Sequence, residues 1–356
     1  MKAGISLREL AIEIERQNDI KQDYLVDTKN MRMETFEGVA YLHLYDHGSE
    51  AIEPLEINQF AHRQIGSYLK IPADYYNQMQ NEMPELLVQN VNTWLSRISE
   101  KRMIRALGGT ARAFLSSRYK VIDNAMIAEI ALPIIAEMKG AKVESCQITE
   151  RQMYIKVVNQ RLEAEVAPGD IVQAGLIISN SEVGQGAVNI QPLVYRLVCS
   201  NGMIVNEART RAKHIGRLID SDEDFLIFSD ETIQADNKAF CLKVQDTVKA
   251  AVEEVRFARI VDKMREASGR QMNTADVPGV VRLTSQQFHI TKEEGAGVLQ
   301  HLIEGKSLSQ YGLANAVTRY SQDVENYDRA TELEAIGYNI LAMPQRQWDM
   351  INKAVA

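Results

Sequence analysis

The sequence predicts an α+β fold: a central, mainly antiparallel sheet packed by helices, with a helical N-terminal block and a mainly helical C-terminal region. Residues 101–206 alternate short apolar runs with turn residues, the pattern of hairpin-connected strands. Residues 57–100 and 207–356 carry helical spacing instead, and strand signals stop after Asn206. At 356 residues, 45% hydrophobic and 25% charged, the chain is long enough for two domains or for one domain with helical extensions. Four segments follow from these changes in pattern: 1–56, a helix and strands; 57–100, a helical block; 101–206, the α+β core; 207–356, the helical region.

In chain order, Ser6 and Glu9 form a capping box for a helix over 6–17. Strands are predicted at Asp23–Asp27, Met31–Thr35 and Val39–Tyr45. From Ile57 the period becomes helical. Pro72 and Pro84 open the second and third helices of a compact trio. Arg102–Leu107 then reads as a strand ending at Gly108-Gly109, a tight hairpin into Arg112-Ala-Phe-Leu. Asp123 or Asn124 caps an apolar helix over Met126–Met138 that Pro133 interrupts. Strands follow at Lys142–Gln147, Gln152–Val158, Ile171–Ser179, Ala187–Leu193 and Tyr195–Cys199. One long helix is expected from about Thr232 to Ala267, with Val244, Val248, Ala251, Val255 and Ala258 in a single seam. Thr291 with Glu294, and then Ser309, start two further helices, and Trp348 and Ile351 sit in a terminal one.

Cys146, Cys199 and Cys241 are far apart and include no C-x-x-C pair, so neither a disulfide framework nor a zinc ribbon is indicated. A reducing cytoplasm is the expected compartment. The N-terminus soon becomes charged, unlike a signal peptide, and no apolar run is long enough for a membrane span.

Charge distribution is the most suggestive functional feature. The net charge is -8, which argues against an overall basic nucleic-acid binder but not against a local basic surface. Arg97, Lys101, Arg102, Arg105, Arg112, Arg118 and Lys120 face only Glu100 within 97–120, and Arg209, Arg211, Lys213, His214 and Arg217 form a second cluster. Phosphate neutralisation needs several such charges on one surface, and arginine also stacks on bases. Tyr119, Phe114 and Tyr195 are candidate stacking platforms. The competing reading pairs these cations with the acidic stretch Asp220–Asp236 or with another subunit.

Other patterns carry less. Phe60–Asn77 resembles a helix-turn-helix, but its turn lacks glycine and its second helix has no basic residue, so it reads better as a helical hairpin packing its apolar side. His43, Asp46 and His47 lack further ligands, so no metal or other cofactor is expected. Glu304-Gly-Lys-Ser307 lacks the first glycine of a phosphate-binding loop. Pro168-Gly-Asp170 could open the carboxylate set of a metal-dependent nuclease, but the next acidic-x-Lys, Asp236-Asn-Lys238, is sixty-six residues on in helical sequence. Asp123 and Asp170 are the carboxylates whose mutation would test that class. The stretch Ser179–Gly186 is either a polar loop able to cradle phosphate or a hairpin connection. No complete catalytic constellation is present, so a non-enzymatic role is expected.

At Arg112–Asn124, Gly169-Asp170, Ile178–Gly184, Arg196–Asn201 and Tyr311–Tyr320 the chain resembles the phage/plasmid-like family carrying domain of unknown function 932. Leu69–Tyr76 fits the N-terminal portion of longer members, so the resemblance spans roughly residues 55–330. It implies a gene of phages, prophages or plasmids acting in a bacterial cytoplasm, and implies no reaction. The outline is also similar to single-strand annealing proteins, ring assemblies with a basic groove; by that analogy Arg112, Arg118 and Lys120 would line the groove. The leading expectation is an oligomeric protein of DNA metabolism that binds single-stranded nucleic acid. The alternative is a protein-interaction module, either a host-defence antagonist or a phage structural component, without nucleic acid.

Overall fold

The computed structural model describes residues 1–46, 49–50, 52–186, 188–206, 210–212 and 230–355. The fold is α+β, as the patterning predicts, but two sheets replace the single central one. The first sheet has seven strands in the order β1-β6-β7-β5-β3-β2, with β4 on β3. These are β1 (Lys21–Asp27), β2 (Met31–Phe36), β3 (Val39–Asp46), β4 (Ser49–Glu50), β5 (Leu55–Ile57), β6 (Lys101–Leu107) and β7 (Thr110–Ser116). The second has five strands in order, β12-β11-β10-β9-β8, with β13 on β11. These are β8 (Ala141–Ile148), β9 (Met153–Ala167), β10 (Asp170–Asn180), β11 (Val188–Arg196), β12 (Asn201–Ile204) and β13 (Thr210–Ala212).

Sequence distance hides the first sheet. β6 pairs antiparallel with β1, about eighty residues earlier, and β7 runs parallel to β5. Helices α2 (Gln59–Tyr68), α3 (Ala73–Glu82) and α4 (Pro84–Arg97) fill that excursion and bury Ile65, Met79, Leu87, Val91 and Leu95 against the sheet. Gly108 and Gly109 both take positive φ, 57° and 86°, at the β6–β7 turn, where an L side chain would be strained.

Both faces of the second sheet are covered, which explains the nearly continuous apolar run of β10. On one face lie α1 (Leu7–Ile20), α5 (Asn124–Glu137) and α6 (Asp230–Ala251). The remaining helices are α7 (Glu254–Gly269), α8 (Val277–Gln287), α9 (Lys292–Glu304), α10 (Gln310–Tyr320), α11 (Tyr327–Leu341) and α12 (Gln345–Ala354). Their apolar sides form the largest core, together with Val166, Val172, Val194 and Met203 of the sheet. The capping boxes at Ser6/Glu9 and Thr291/Glu294 are formed.

Two predicted elements differ. Tyr195–Cys199 is not a strand: β11 continues to Arg196, and residues 197–200 turn into β12. The expected long helix is two helices, α6 and α7, broken at residues 252–253. Val244, Val248 and Ala251 belong to the core around α5, whereas Phe257, Ile260 and Val261 belong to the C-terminal core. One straight rod cannot serve both cores, and Val255 and Ala258 consequently face solvent.

A buried histidine holds α2 to α3. His62 is 2% exposed, its Nδ1 lies 2.9 Å from the Tyr76 hydroxyl, and burial pulls its pKa from 6.5 to about 4. The unfolded chain therefore binds a proton through the window 6.5 to 4 that the folded chain refuses, so stability falls as pH falls. We expect a His62→Leu variant to lack about 2 kcal/mol of the stability change between pH 7 and pH 5, measured by urea unfolding at both pH values. Identical pH slopes in the two proteins would refute this assignment.

Candidate nucleic-acid interface

One end of the seven-stranded sheet gathers part of the predicted cationic set. Lys101 and Arg102 begin β6, and Arg102 pairs in register with Ser116, two residues before Arg118. Arg97 ends α4, four residues before Lys101, within about 15 Å along the chain. Arg97, Lys101 and Arg118 are exposed. The Arg97 guanidinium lies 6.0 Å from the ring of Trp94, which is itself 45% exposed. Arg102 lies 4.4 Å and 5.0 Å from the Tyr68 and Phe114 rings, and 3.4 Å from Glu100. Burial lowers the Arg102 pKa, and Tyr68, whose hydroxyl donates to Glu100, is pushed up to about 12. This end of the sheet thus offers an open indole and cationic side chains, the groups that stack bases and meet phosphates.

Arg105 and Arg112, two central members of the predicted set, do not belong to this surface. Arg105 is fully buried. Its Nε and one Nη donate to the two Asp23 carboxylate oxygens at 2.8 and 3.1 Å, the same Nη donates to Asp123 at 2.7 Å, and the other to the Glu182 carbonyl at 3.0 Å. Burial opposes the charge, but Asp23 and Asp123 outweigh it and raise the Arg105 pKa. Asp123 is in turn held below the usual carboxylate range: burial would raise it, and Lys21, 2.5 Å away, and Arg105 overcome that. Arg112 is 9% exposed and donates to Glu182 Oε2 at 2.7 Å. The other Glu182 oxygen accepts the Asn124 backbone N–H at 2.6 Å, so this carboxylate also caps α5. A register shift between β6 and β7 leaves Arg112 as an extra residue, which turns it to the same side as Arg105.

The stretch Ser179–Gly186 is accordingly neither an open phosphate cradle nor a plain solvated hairpin connection. Ser181 is fully buried, and Glu182 and Val183 are 6% and 1% exposed. Tyr119 is not a stacking platform either, because its hydroxyl donates to the Ser181 carbonyl at 3.0 Å and burial raises its pKa. Phe114 is 2% exposed. Lys120 is half-buried, its Nζ 5.7 Å from the Phe240 ring. Arg209 and Lys213 lie outside the described residues, and of Arg211 only the backbone in β13 is described. Most of the acidic stretch Asp220–Asp236 also lies outside them.

A second polar cluster occupies the other end of β10. Arg196 donates to both Asp170 oxygens at 2.6 and 3.0 Å, Tyr311 donates to one of them at 2.9 Å, and Cys199 Sγ lies 3.2 Å from Arg196. Asn201 donates to the hydroxyl of Thr318, 117 residues later in the chain. Arg105 links Asp123 to the Glu182 carbonyl just beyond one end of β10, and Asp170 starts the other end, about 33 Å away. The two carboxylates of the nuclease reading therefore do not converge. Among the described residues no group of three or more histidine, cysteine or carboxylate side chains is placed to hold a metal ion.

The stretches quoted for the family resemblance thus meet in two clusters, 112–124 with 178–184, and 169–170 with 196–201 and 311–320. A family model described as Domain of unknown function (DUF932) matches residues 113–340. The chain belongs to the DUF932 family. No curated protein and no solved structure matches it. The DUF932 match begins within β7 and ends in α11, so it contains the second sheet, and the exposed Trp94, Arg97 and Lys101 precede it. Sequence reasoning missed Asp23, Glu182 and Trp94. Trp94 was legible, standing three residues before Arg97 on one helix face.

Proposed function

We propose that this DUF932 protein binds single-stranded nucleic acid without catalysing a reaction, through the end of the seven-stranded sheet. The observation that carries the reading is the exposed Trp94 with the Arg97 guanidinium 6.0 Å from its ring. Lys101, four residues on, and Arg118, two residues past the Arg102–Ser116 pair, are exposed at the same end of the sheet. Bases would stack on the indole and phosphates would meet the three cations, a mode indifferent to sequence. Arg105 and Arg112 take no part, since carboxylates of the same chain already neutralise them. A phage-type role in DNA metabolism and a homo-oligomeric assembly belong to the same proposal.

Fluorescence anisotropy with single- and double-stranded oligonucleotides at two salt concentrations tests it. Binding to single strands should weaken as salt rises. The triple variant Arg97→Glu, Lys101→Glu, Arg118→Glu should bind at least tenfold less with an unchanged circular dichroism spectrum, and Trp94→Ala should lose about 1–3 kcal/mol. Salt-independent binding, or none, would defeat the reading. The internal pairing of Arg105 and Arg112 favours the second reading, a protein-interaction module, and the same titration separates the two.

A further inference from the structure

Helices α1 and α5 lie side by side on the second sheet with a groove of about 540 Å³ between them. Its floor is apolar: Leu10, Ile14 and Ala128 are buried, and Leu132 lies further along. Ala11 and Ala125 keep the walls low, so side chains from outside have room to enter. The rim is acidic. Glu15 and Glu129 line it and are exposed.

Charge says what kind of occupant fits. The two helices carry Glu9, Glu13, Glu15, Asp19, Glu129 and Glu137 against Arg8 and Arg16 only, and Arg16 is turned onto Glu13 at 2.7 and 2.8 Å. Pro133 supplies no N–H inside α5, so the Glu129 carbonyl lacks the donor that a helix normally places four residues on. An acceptor and two carboxylates therefore border an apolar trough. Such a border repels a polyanion or an acidic membrane surface and attracts lysine and arginine.

We propose that the α1–α5 groove docks an amphipathic helical segment of a partner protein, apolar on the face that enters and lysine- or arginine-bearing along its edges. This is the helix-in-groove mode, in which anchors at i, i+3, i+4 and i+7 fill the trough and edge charges set orientation. The site is separate from the cationic sheet end and does not rest on it. The lining runs over residues 10–18 of α1 and 125–133 of α5, about 13 Å, so two to three turns of a partner helix fill the groove.

The probe is a fluorescein-labelled synthetic peptide of about 14 residues, leucine on one helical face and lysine on the other, titrated into the full chain. Two control peptides replace lysine by glutamate or scramble the leucine spacing. Saturable one-to-one binding of the lysine peptide, with both controls at least tenfold weaker, is the expected result. Ala11→Trp, at an exposed wall position, and Glu129→Lys, at the rim, should each weaken it about tenfold without altering the thermal melt. The triple charge reversal at Arg97, Lys101 and Arg118 should leave peptide binding unchanged, which separates this site from the nucleic-acid surface. Equal binding of the scrambled peptide, or undiminished binding to Ala11→Trp and Glu129→Lys, overturns the proposal. So does a dimer in sedimentation that Ala11→Trp converts to monomer, because the occupant would then be a second copy of this chain.

Discussion

Replacing Lys156 by methionine is expected to destabilise the protein by about 4 kcal/mol. Lys156 and Glu334 are both fully buried, and their charged ends meet at 2.7 Å between β9 and α11. Lys156 also donates to Thr331 at 3.2 Å and lies 4.6 Å from the Tyr327 ring, while the other Glu334 oxygen accepts the Lys2 backbone N–H at 3.1 Å. Burial lowers the Lys156 pKa and Glu334 opposes it. Removing the cation leaves a carboxylate far from water with the Lys2 backbone N–H and the Met1 amine, whose own pKa burial lowers to about 5, the arrangement that makes broken buried pairs costly. A second variant distinguishes this from simple loss of packing. Lys156→Met combined with Glu334→Leu removes both desolvated charges and should recover most of the loss, measured by chemical denaturation. If the double variant is as unstable as the sum of the two single ones, the pair is not the reason.

The second large effect concerns Arg105. An Arg105→Met variant should lose about 3 kcal/mol, somewhat less than Lys156→Met, because the Asp23 side chain is 31% exposed and water can partly replace the lost partner. Arg105→Lys should recover little. Four bonds to Asp23, Asp123 and the Glu182 carbonyl use the planar fork of the guanidinium, and an ammonium cannot reach all three partners. Because Asp23 lies in the first sheet and Glu182 follows β10 of the second, the loss should also separate the unfolding of the two. Tryptophan fluorescence reports both Trp94 in α4 and Trp348 in α12, so Trp348→Phe isolates the first. Transitions seen by Trp94 fluorescence and by circular dichroism should cease to coincide in Arg105→Met.

The pH dependence follows with a definite sign. In the native protein Asp123 is held below its ordinary range, so its contribution is present above that range and is lost as pH falls through the folded value. Without Arg105, burial is opposed by Lys21 alone and the Asp123 carboxyl accepts a proton more readily. The deficit of Arg105→Met relative to the native protein should therefore shrink as pH falls from 7 towards 4. A deficit that grows on acidification would refute the network as drawn.

Local features were legible wherever they depend on a few adjacent residues. The capping boxes of Ser6/Glu9 and Thr291/Glu294, the Gly108-Gly109 turn and the strand over Ile171–Ser179 all form as read. Partnership across the chain was not. The β1–β6 ladder joins residues 21–27 to 101–107, and no periodicity within either stretch specifies the other. The α6–α7 break was equally hidden, since neither proline nor glycine marks residues 252–253 and two separate cores impose it. At the candidate site the limit is sharper. Along the chain, Arg97, Lys101, Arg102, Arg105, Arg112 and Arg118 look alike.

Taken alone, the order of amino acids determined the α+β class, most helix starts and the existence of a cationic stretch around residues 97–120. Tertiary structure decided which of those cations face water. Strand alternation and one extra residue in β7 turn Arg105 and Arg112 toward carboxylates contributed from residues 23, 123 and 182, while Arg97, Lys101 and Arg118 remain at the sheet end. The physical reason is desolvation: a guanidinium taken from water must find anions wherever the fold brings them, and those anions can stand anywhere in the sequence.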